Sequence, residues 1–284
     1  MQKITIKKHH SNEYLLTEDK LWVRDFTNKE APYYDINELI RPNEYLSLVG
    51  NEVDNARRKY PEIGGEHILK PNVVIVSDGY KFEQKQRLLA ALPRDICVIG
   101  TNKALSEWNM VGKSDVKRPM DFYVINNPYP EAQIFFPKKT NYQPRCIASV
   151  KTNPGFLKNY RGNVSSYASV PDKNYYGPTK HVEYLIDDYR NPICAAIGLS
   201  FRFGVQKLLM LCCDDSFDKD RPGADRLDNG LWCYPQQKIS DRLVDANLYW
   251  LKKIGVDIGN HSSGLNLYNA EYISSEGIAK FFGG

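Results

Sequence analysis

Six short apolar runs punctuate the chain from residue 70 onward: NVVIVS at 72–77, ICVIG at 96–100, FYVI at 122–125, CIASV at 146–150, VQKLLMLCC at 205–213 and VDIG at 256–259. Most run on without alternation between apolar and polar positions, the pattern of strands buried on both faces, as in a parallel sheet covered by helices. Helix-like segments lie between them at Phe82 to Leu92, Asn102 to Trp108, Asn191 to Gly204 and Gln236 to Ile254. Asn191 and Pro192 fit a helix start, a capping side chain followed by a proline in the first turn, and Gly204 fits a stop. In the last segment Ile239, Leu243, Ala246, Trp250 and Ile254 share one face. The fold expected is α/β: a Rossmann-like, mostly parallel sheet with helices on both faces, running from about Lys70 to Gly284.

Residues 1–69 read differently. Ile4 to Ile6, Tyr14 to Leu16 and Leu21 to Val23 are short β-favouring runs separated by polar turns, and Asp35 to Lys59 carries a helical spacing closed by Arg57, Arg58 and Lys59. Pro61, Gly64 and Gly65 then break the pattern, so 1–69 is expected to be a small β/α appendage on a nucleotide-binding domain at 70–284. The stretch from Lys151 to Tyr189, rich in Asn, Ser, Tyr, Pro and Gly, reads as a lid or binding loop with a short helix at Pro154 to Tyr160 and a strand at Val164 to Ala168.

Composition narrows the partners. A net charge of +4 gives no reason to expect nucleic acid. The most apolar region, Ile193 to Cys213, is interrupted by Arg202, Gln206 and Lys207, so no membrane span is expected. MQKITIKKHH lacks the apolar core of a signal peptide. The six cysteines never form a CxxC pair and lie mostly in apolar stretches, which suggests buried, reduced thiols and a cytoplasmic location. An oligomer is compatible with this composition.

In an open parallel sheet, ligands bind beyond the carboxyl ends of the strands, so the residues after each run are the candidates. Ser77, Asp78 and Gly79 form a turn that offers backbone N–H groups to a phosphate, or else an ordinary tight turn. Asn102 and Asn127 follow the next two runs. Asp214, Asp215, Asp218 and Asp220 cluster after VQKLLMLCC, where carboxylates can hold Mg²⁺ or orient sugar hydroxyls; the alternative is a solvated acidic loop balanced by Lys219, Arg221 and Arg226. His261, between Asn260 and two serines, reads as a loop residue placed to act as a general base, or to brace its own loop. Gly112, Lys113 and Ser114 imitate the end of a Walker motif, but Glu107 stands where its first glycine belongs. No zinc-binding spacing and no GxSxG motif is present, so a zinc enzyme or a serine hydrolase of the usual α/β type is not expected.

The order VVIVSDG, CVIGTNKAL, DFYVINNP, NPICAAIGLSFRFGVQKLLMLCCDDSF and IGNHSSG resembles the superfamily that joins 6-hydroxymethylpterin diphosphokinase-like proteins to bacterial CMP-sialic-acid-dependent sialyltransferases. The resemblance covers about two thirds of the chain, from Lys70 onward, and is one of pattern and order. In the sialyltransferase branch it implies that Gly79, Asn102 and Asn127 hold the nucleotide and that His261 is the base. The first loop departs from that branch, reading Ser77-Asp78-Gly79-Tyr80 in place of Asn-Gly-Pro-Ser. In the diphosphokinase branch, acidic residues and Mg²⁺ bind ATP, which Asp214 and Asp215 would suit. The expectation is therefore a nucleotide-dependent transferase, first a glycosyltransferase with a CMP- or UDP-type nucleotide sugar as donor and a small molecule or glycan as acceptor. Ser77, Asp78, Gly79, Asn102, Asn127 and Asp214 would line the nucleotide site, and His261 and Asp215 would be catalytic. An ATP-dependent diphosphokinase acting on a small hydroxymethyl heterocycle, and a non-catalytic binding or assembly protein with the same fold, are the alternatives.

Overall fold

The computed structural model describes residues 4–9, 12–16, 21–25, 34–35, 44–61, 63, 71–81, 88–89, 92–106, 119–136, 143–169, 185–186, 188, 191–214, 216–264 and 267–283. Near the N-terminus, β1 (Ile4–His9), β2 (Asn12–Leu16), β3 (Leu21–Asp25) and β4 (Tyr34–Asp35) form an antiparallel meander, followed by α1 (Glu44–Arg58). The meander is a sheet of its own. By contrast α1 reaches the rest of the molecule through its amides. Asn51 donates to the carbonyls of Pro128 and Lys151, and Asn55, 4% exposed, donates to those of Val150 and Thr152 at 2.9 and 2.7 Å.

The apolar runs become β5 (Asn72–Val76), β6 (Cys97–Thr101), β7 (Phe122–Ile125), β8 (Arg145–Ser149), β11 (Lys207–Leu211) and β14 (Asp257–His261). With β9 (Val164–Ser169), β10 (Leu185–Ile186) and β15 (Glu271–Tyr272) they make one nine-stranded sheet in the order β10-β9-β8-β7-β6-β5-β11-β14-β15. Every pairing in it is parallel. The segment read as an irregular lid thus contributes two strands; residues 170–184 within it fall outside the described residues.

Helices cover both faces because alternate residues of each central strand feed two separate cores. Val73, Ile75, Leu208 and Met210 point to the face that carries α3 (Pro192–Arg202) and α4 (Pro235–Lys253). Val74, Val76, Leu209 and Leu211 point to the other, packing with Leu89, Leu105, α2 (Pro154–Asn159) and α5 (Gly277–Phe281). Four aromatic rings, Tyr123, Phe136, Phe156 and Tyr160, pack together on that second face, Phe136 on Phe156 at 4.4 Å between centroids. α3 starts as its sequence implies, Asn191 accepting the Ile193 N–H at 2.7 Å, and it ends at Gly204 with φ +74°.

The apolar stripe read in α4 is not its buried face. Leu243 is buried, but Trp250 and Ile254 are exposed, and the side against the core carries Asp241, Val244, Asp245, Leu248 and Leu251. Asp245 can lie inside because Asn269 donates its backbone and side-chain N–H groups to it at 2.9 Å each. All six cysteines are free and buried. Among the described residues no helix is long and apolar enough to cross a membrane.

Candidate functional site

The chain enters the sheet at β5, adds strands outward to β10, then returns to place β11 on the other side of β5. The connections leaving β5 and β11 therefore part in opposite directions, and a crevice opens between their carboxyl ends, the usual ligand position in open α/β sheets. Two of the expected residues meet there. The Gly79 N–H donates to the Cys212 carbonyl at 2.9 Å, and a methyl group added to Gly79 would stand 2.5 Å from the Asp214 carbonyl, the Asp214 Oδ1 and the Cys212 carbonyl. Asp214 is 2% exposed and accepts the Ser216 hydroxyl at 2.7 Å. On its other side lies Gly264, whose missing side chain would occupy the space of Asp214 Oδ2, at 2.5 Å. The Asp214 carboxylate is thus held between two glycine turns, which only residues without a Cβ can form this close.

The β6 tip joins the same group. Asn102 takes a left-handed conformation, φ +50°, which asparagine tolerates better than most residues. Its Nδ2 donates to Ser77 Oγ at 3.2 Å, which donates in turn to Asp78 Oδ1 at 3.2 Å, while Tyr123 steadies the turn by donating to the Asn102 carbonyl at 2.9 Å. Burial raises the Asp78 carboxyl above its ordinary pKa, and the nearby Lys103 ammonium opposes that shift. On the other flank of β5, Cys212 also has a positive φ, +54°, where β11 turns out of the sheet. Ser77, Asp78, Gly79, Asn102 and Asp214 therefore form one contiguous polar rim.

Asn127 and His261 stand at the ends of this rim, each two strands from β5, about 10 Å at the normal strand spacing. Asn127 is engaged locally: its Oδ1 accepts the Tyr129 N–H and its carbonyl accepts the Asn153 N–H. His261 is the last residue of β14, paired with Leu211 and 6% exposed, and not the loop residue that its sequence context suggested. The strand runs on past Gly259 because β11 supplies a parallel partner for each residue up to 261. His261 Nδ1–H donates to the Ile273 carbonyl at 2.6 Å, Nε2 lies 3.4 Å from the Ser275 hydroxyl, and the ring stacks on Tyr272. The link from this strand to the Asp214 turn is Ser262, whose Oγ accepts the Cys213 N–H at 2.9 Å. Glu276 nearby has its carboxyl held below the usual range, by its own backbone N–H first, then by the Ser274 hydroxyl and His261.

Asp215 and the glycine, lysine and serine at 112–114 lie outside the described residues. Asp218 and Asp220 are exposed, on a segment that ends in the hairpin of β12 (Asp225–Arg226) and β13 (Trp232–Cys233). The tip of that hairpin reaches back over the site, Asn229 Nδ2 donating to the carbonyls of Ser263 and Gly264. Among the described residues no group of three or more His, Cys, Asp or Glu side chains is arranged to hold a metal ion.

Two groups were not legible as site residues. Asp188, 2% exposed, accepts from Tyr167 OH at 2.9 Å and from Asn126 Nδ2 at 3.3 Å, and its backbone carbonyl receives the N–H of Asn191, the cap of α3. The other is the Asn51 and Asn55 pair, which brings α1 over the tips of β7 and β8. The Asp-x-x-Asn-Pro spacing was the one available signal for the first; the second depends on contacts across about a hundred residues of chain.

No protein-family model and no curated protein matches the chain. Among solved structures it is similar to a MAf glycosyltransferase from Magnetospirillum magneticum AMB-1, with a TM-score of 0.62 and 14% sequence identity, covering 82% of this chain and 39% of that one. The chain thus spans well under half the length of that protein, and at this identity the likeness is one of fold: the mostly parallel, helix-covered sheet is shared.

Proposed function

We propose that the chain is a glycosyltransferase that moves a sugar from a CMP- or UDP-type nucleotide sugar to a hydroxyl of a small molecule or glycan. The observation that carries this reading is the meeting of Gly79, Asn102 and Asp214 at the point where the strand order reverses, with a backbone turn too tight for any side chain. The fold likeness to a glycosyltransferase supports it.

In this reading the nucleotide lies across the rim from Gly79 to Asn127, its phosphates toward the backbone N–H groups after β5 and its hydroxyls toward Asn102, Asp78 and Asp214. The acceptor approaches from β14. The Ile273 carbonyl, by accepting the hydrogen bond from Nδ1–H, leaves His261 Nε2 as the basic nitrogen, which removes the acceptor proton as the new glycosidic bond forms and the sugar–phosphate bond of the donor breaks, the nucleotide leaving with that bond's electron pair on its phosphate oxygen. Asp215, next to Asp214, orients the acceptor hydroxyl.

Thermal-shift and calorimetric titrations with CMP, UDP, GDP and ATP, each with and without Mg²⁺, test the reading. A ligand at 100 times its dissociation constant adds about 2.7 kcal/mol of stability. Stabilisation by CMP or UDP without Mg²⁺, weakened by Asn102→Ala, is the expected result. Stabilisation by ATP alone, and only with Mg²⁺, would move the assignment to diphosphate transfer, and no shift with any nucleotide would leave a binding protein.

A further inference from the structure

Asp214 is buried where the proposed reaction needs it to meet a ligand. It is 2% exposed and accepts the Ser216 hydroxyl, with the Gly79 turn lying against Oδ1 and the Gly264 turn against Oδ2. A ligand hydroxyl reaches either oxygen when the turn lying against it withdraws. The Gly79 turn is tied to the central strands: its own N–H donates to the Cys212 carbonyl, and the Ser77 N–H to the Leu211 carbonyl. The Gly264 turn is tied to an exposed arm, Asn229 Nδ2 donating to the carbonyls of Ser263 and Gly264 at 2.8 and 3.0 Å.

That arm is residues 218–230. Its root is the Phe217–Trp232 pair, joined by backbone hydrogen bonds of 2.9 and 2.8 Å, with Phe217 packed on Tyr234 just ahead of α4. Beyond the root every residue is exposed except Ala224 and Leu227, which are half-buried. A segment with so little buried surface opens at low cost. Its Asp225 pairs with Lys238 at 2.9 Å, but both side chains are exposed, so that tie contributes little. The hairpin turn does not itself call for asparagine at 229. Gly230 takes the left-handed position, φ +81°, and its N–H closes the turn on the Leu227 carbonyl at 2.9 Å. What Asn229 adds is direction: its Oδ1 accepts the Leu231 N–H at 3.1 Å, which leaves both Nδ2 protons aimed at the Gly264 turn.

We propose that Asn229 is a latch. With its two hydrogen bonds made, the Gly264 turn is shut on Asp214; when the arm lifts, the turn opens and admits a ligand hydroxyl to the carboxylate. The inference rests on the reading of Gly79, Asn102 and Asp214 as the nucleotide rim, and it makes Asn229 a positioning residue that acts through Gly264. Closing again behind the ligand excludes water from the donor, so that the sugar goes to its acceptor and not to solvent.

Carbodiimide coupling of glycine ethyl ester to carboxylates in the folded full chain, read residue by residue by mass spectrometry, tests the latch without any substrate. Labelling of a buried carboxylate follows the fraction of time it is open. Expected are slow labelling of Asp214 and an acceleration in Asn229→Ala of about fivefold for each hydrogen bond lost. Asn229→Asp, which sets a carboxylate against two carbonyl oxygens, should accelerate it at least as much. Asp188 and Asp245, buried elsewhere, should label as before in each variant, and Lys238→Ala, which removes the arm's other tie, should leave Asp214 unchanged. Saturating CMP or UDP should slow Asp214 labelling, and the nucleotide should dissociate faster from Asn229→Ala. Unchanged labelling in Asn229→Ala overturns the proposal. So does an acceleration shared by Asp188 and Asp245, which would mean general loosening, or one as large in Lys238→Ala. A nucleotide that binds and leaves Asp214 as reactive as before overturns entry at that carboxylate. Should no nucleotide bind, the proposed reaction fails, while labelling of the free chain still decides the latch.

Discussion

Replacing Gly79 with alanine adds one methyl group at the most crowded point of the crevice. The added carbon would stand 2.5 Å from the Asp214 carbonyl, the Asp214 Oδ1 and the Cys212 carbonyl. Each oxygen would have to retreat by 0.5 Å even to reach 3.0 Å, an approach shorter than side-chain carbons normally make. Two of the three are backbone atoms at the end of a central strand, and the Cys212 carbonyl is held by the Gly79 N–H itself. The cost is therefore that of overpacking, about 1–3 kcal/mol, plus about 1 kcal/mol for the weakened hydrogen bond. A total of about 2–4 kcal/mol lowers the Tm of a chain this size by roughly 3–7 °C. Scanning calorimetry and urea unfolding of Gly79→Ala measure it, and the donor-nucleotide titration on the same sample should show weakened binding because the turn is displaced. Gly204→Ala is the control: its cost, about 1 kcal/mol, comes from φ +74° alone, since nothing lies within 4 Å of the added carbon. Removing the carboxylate as well, in Gly79→Ala, Asp214→Ala, should recover only part of the loss, because both carbonyls remain. A Tm for Gly79→Ala within about 1 °C of the unaltered chain would refute the steric reasoning.

His261→Ala should lower single-turnover rate by about 10²–10⁴ with nucleotide affinity nearly unchanged; if the rate holds and only about 1 kcal/mol of stability is lost, the ring merely braces the 273–275 segment. Because burial raises the Asp78 carboxyl, the folded chain holds that proton more tightly than the unfolded one. The group's stability contribution is then fully present below the ordinary carboxylate pKa of 3.8 and is lost as pH rises through the higher folded value. Asp78→Asn should flatten that limb of the urea-unfolding profile and be the more stable of the two at neutral pH; a parallel profile would show that Asp78 titrates normally. Asn55→Ala removes two buried amide donors and leaves the Val150 and Thr152 carbonyls without them, a cost of about 1–3 kcal/mol. Thermal melts together with limited proteolysis at the 59–71 connection would detect it, and unaltered melting would mean that α1 is held mainly by other contacts.

What could be read from the sequence was local. A strand buried on both faces must be apolar throughout, so Asn72–Val76, Cys97–Thr101 and Lys207–Leu211 announce themselves, and with them the parallel, helix-covered sheet. The cap at Asn191 and the stop at Gly204 belong to the same class of signal, since a helix end is decided by the few residues around it. The strand-tip rule then pointed to Ser77, Gly79, Asn102 and Asp214 before any contact was known. Tertiary structure decided the rest. Nothing within Val205 to Cys213 says that it pairs with β5 rather than β10, because pairing is a choice among partners more than a hundred residues apart; yet that choice alone brings Asp214 against Gly79. It also decided which stripe of α4 faces inward. Hydrophobicity favoured Trp250 and Ile254, but Asn269, supplied by a distant loop, satisfies Asp245, and a buried carboxylate with its hydrogen bonds made can occupy a core position that composition would assign to an apolar residue.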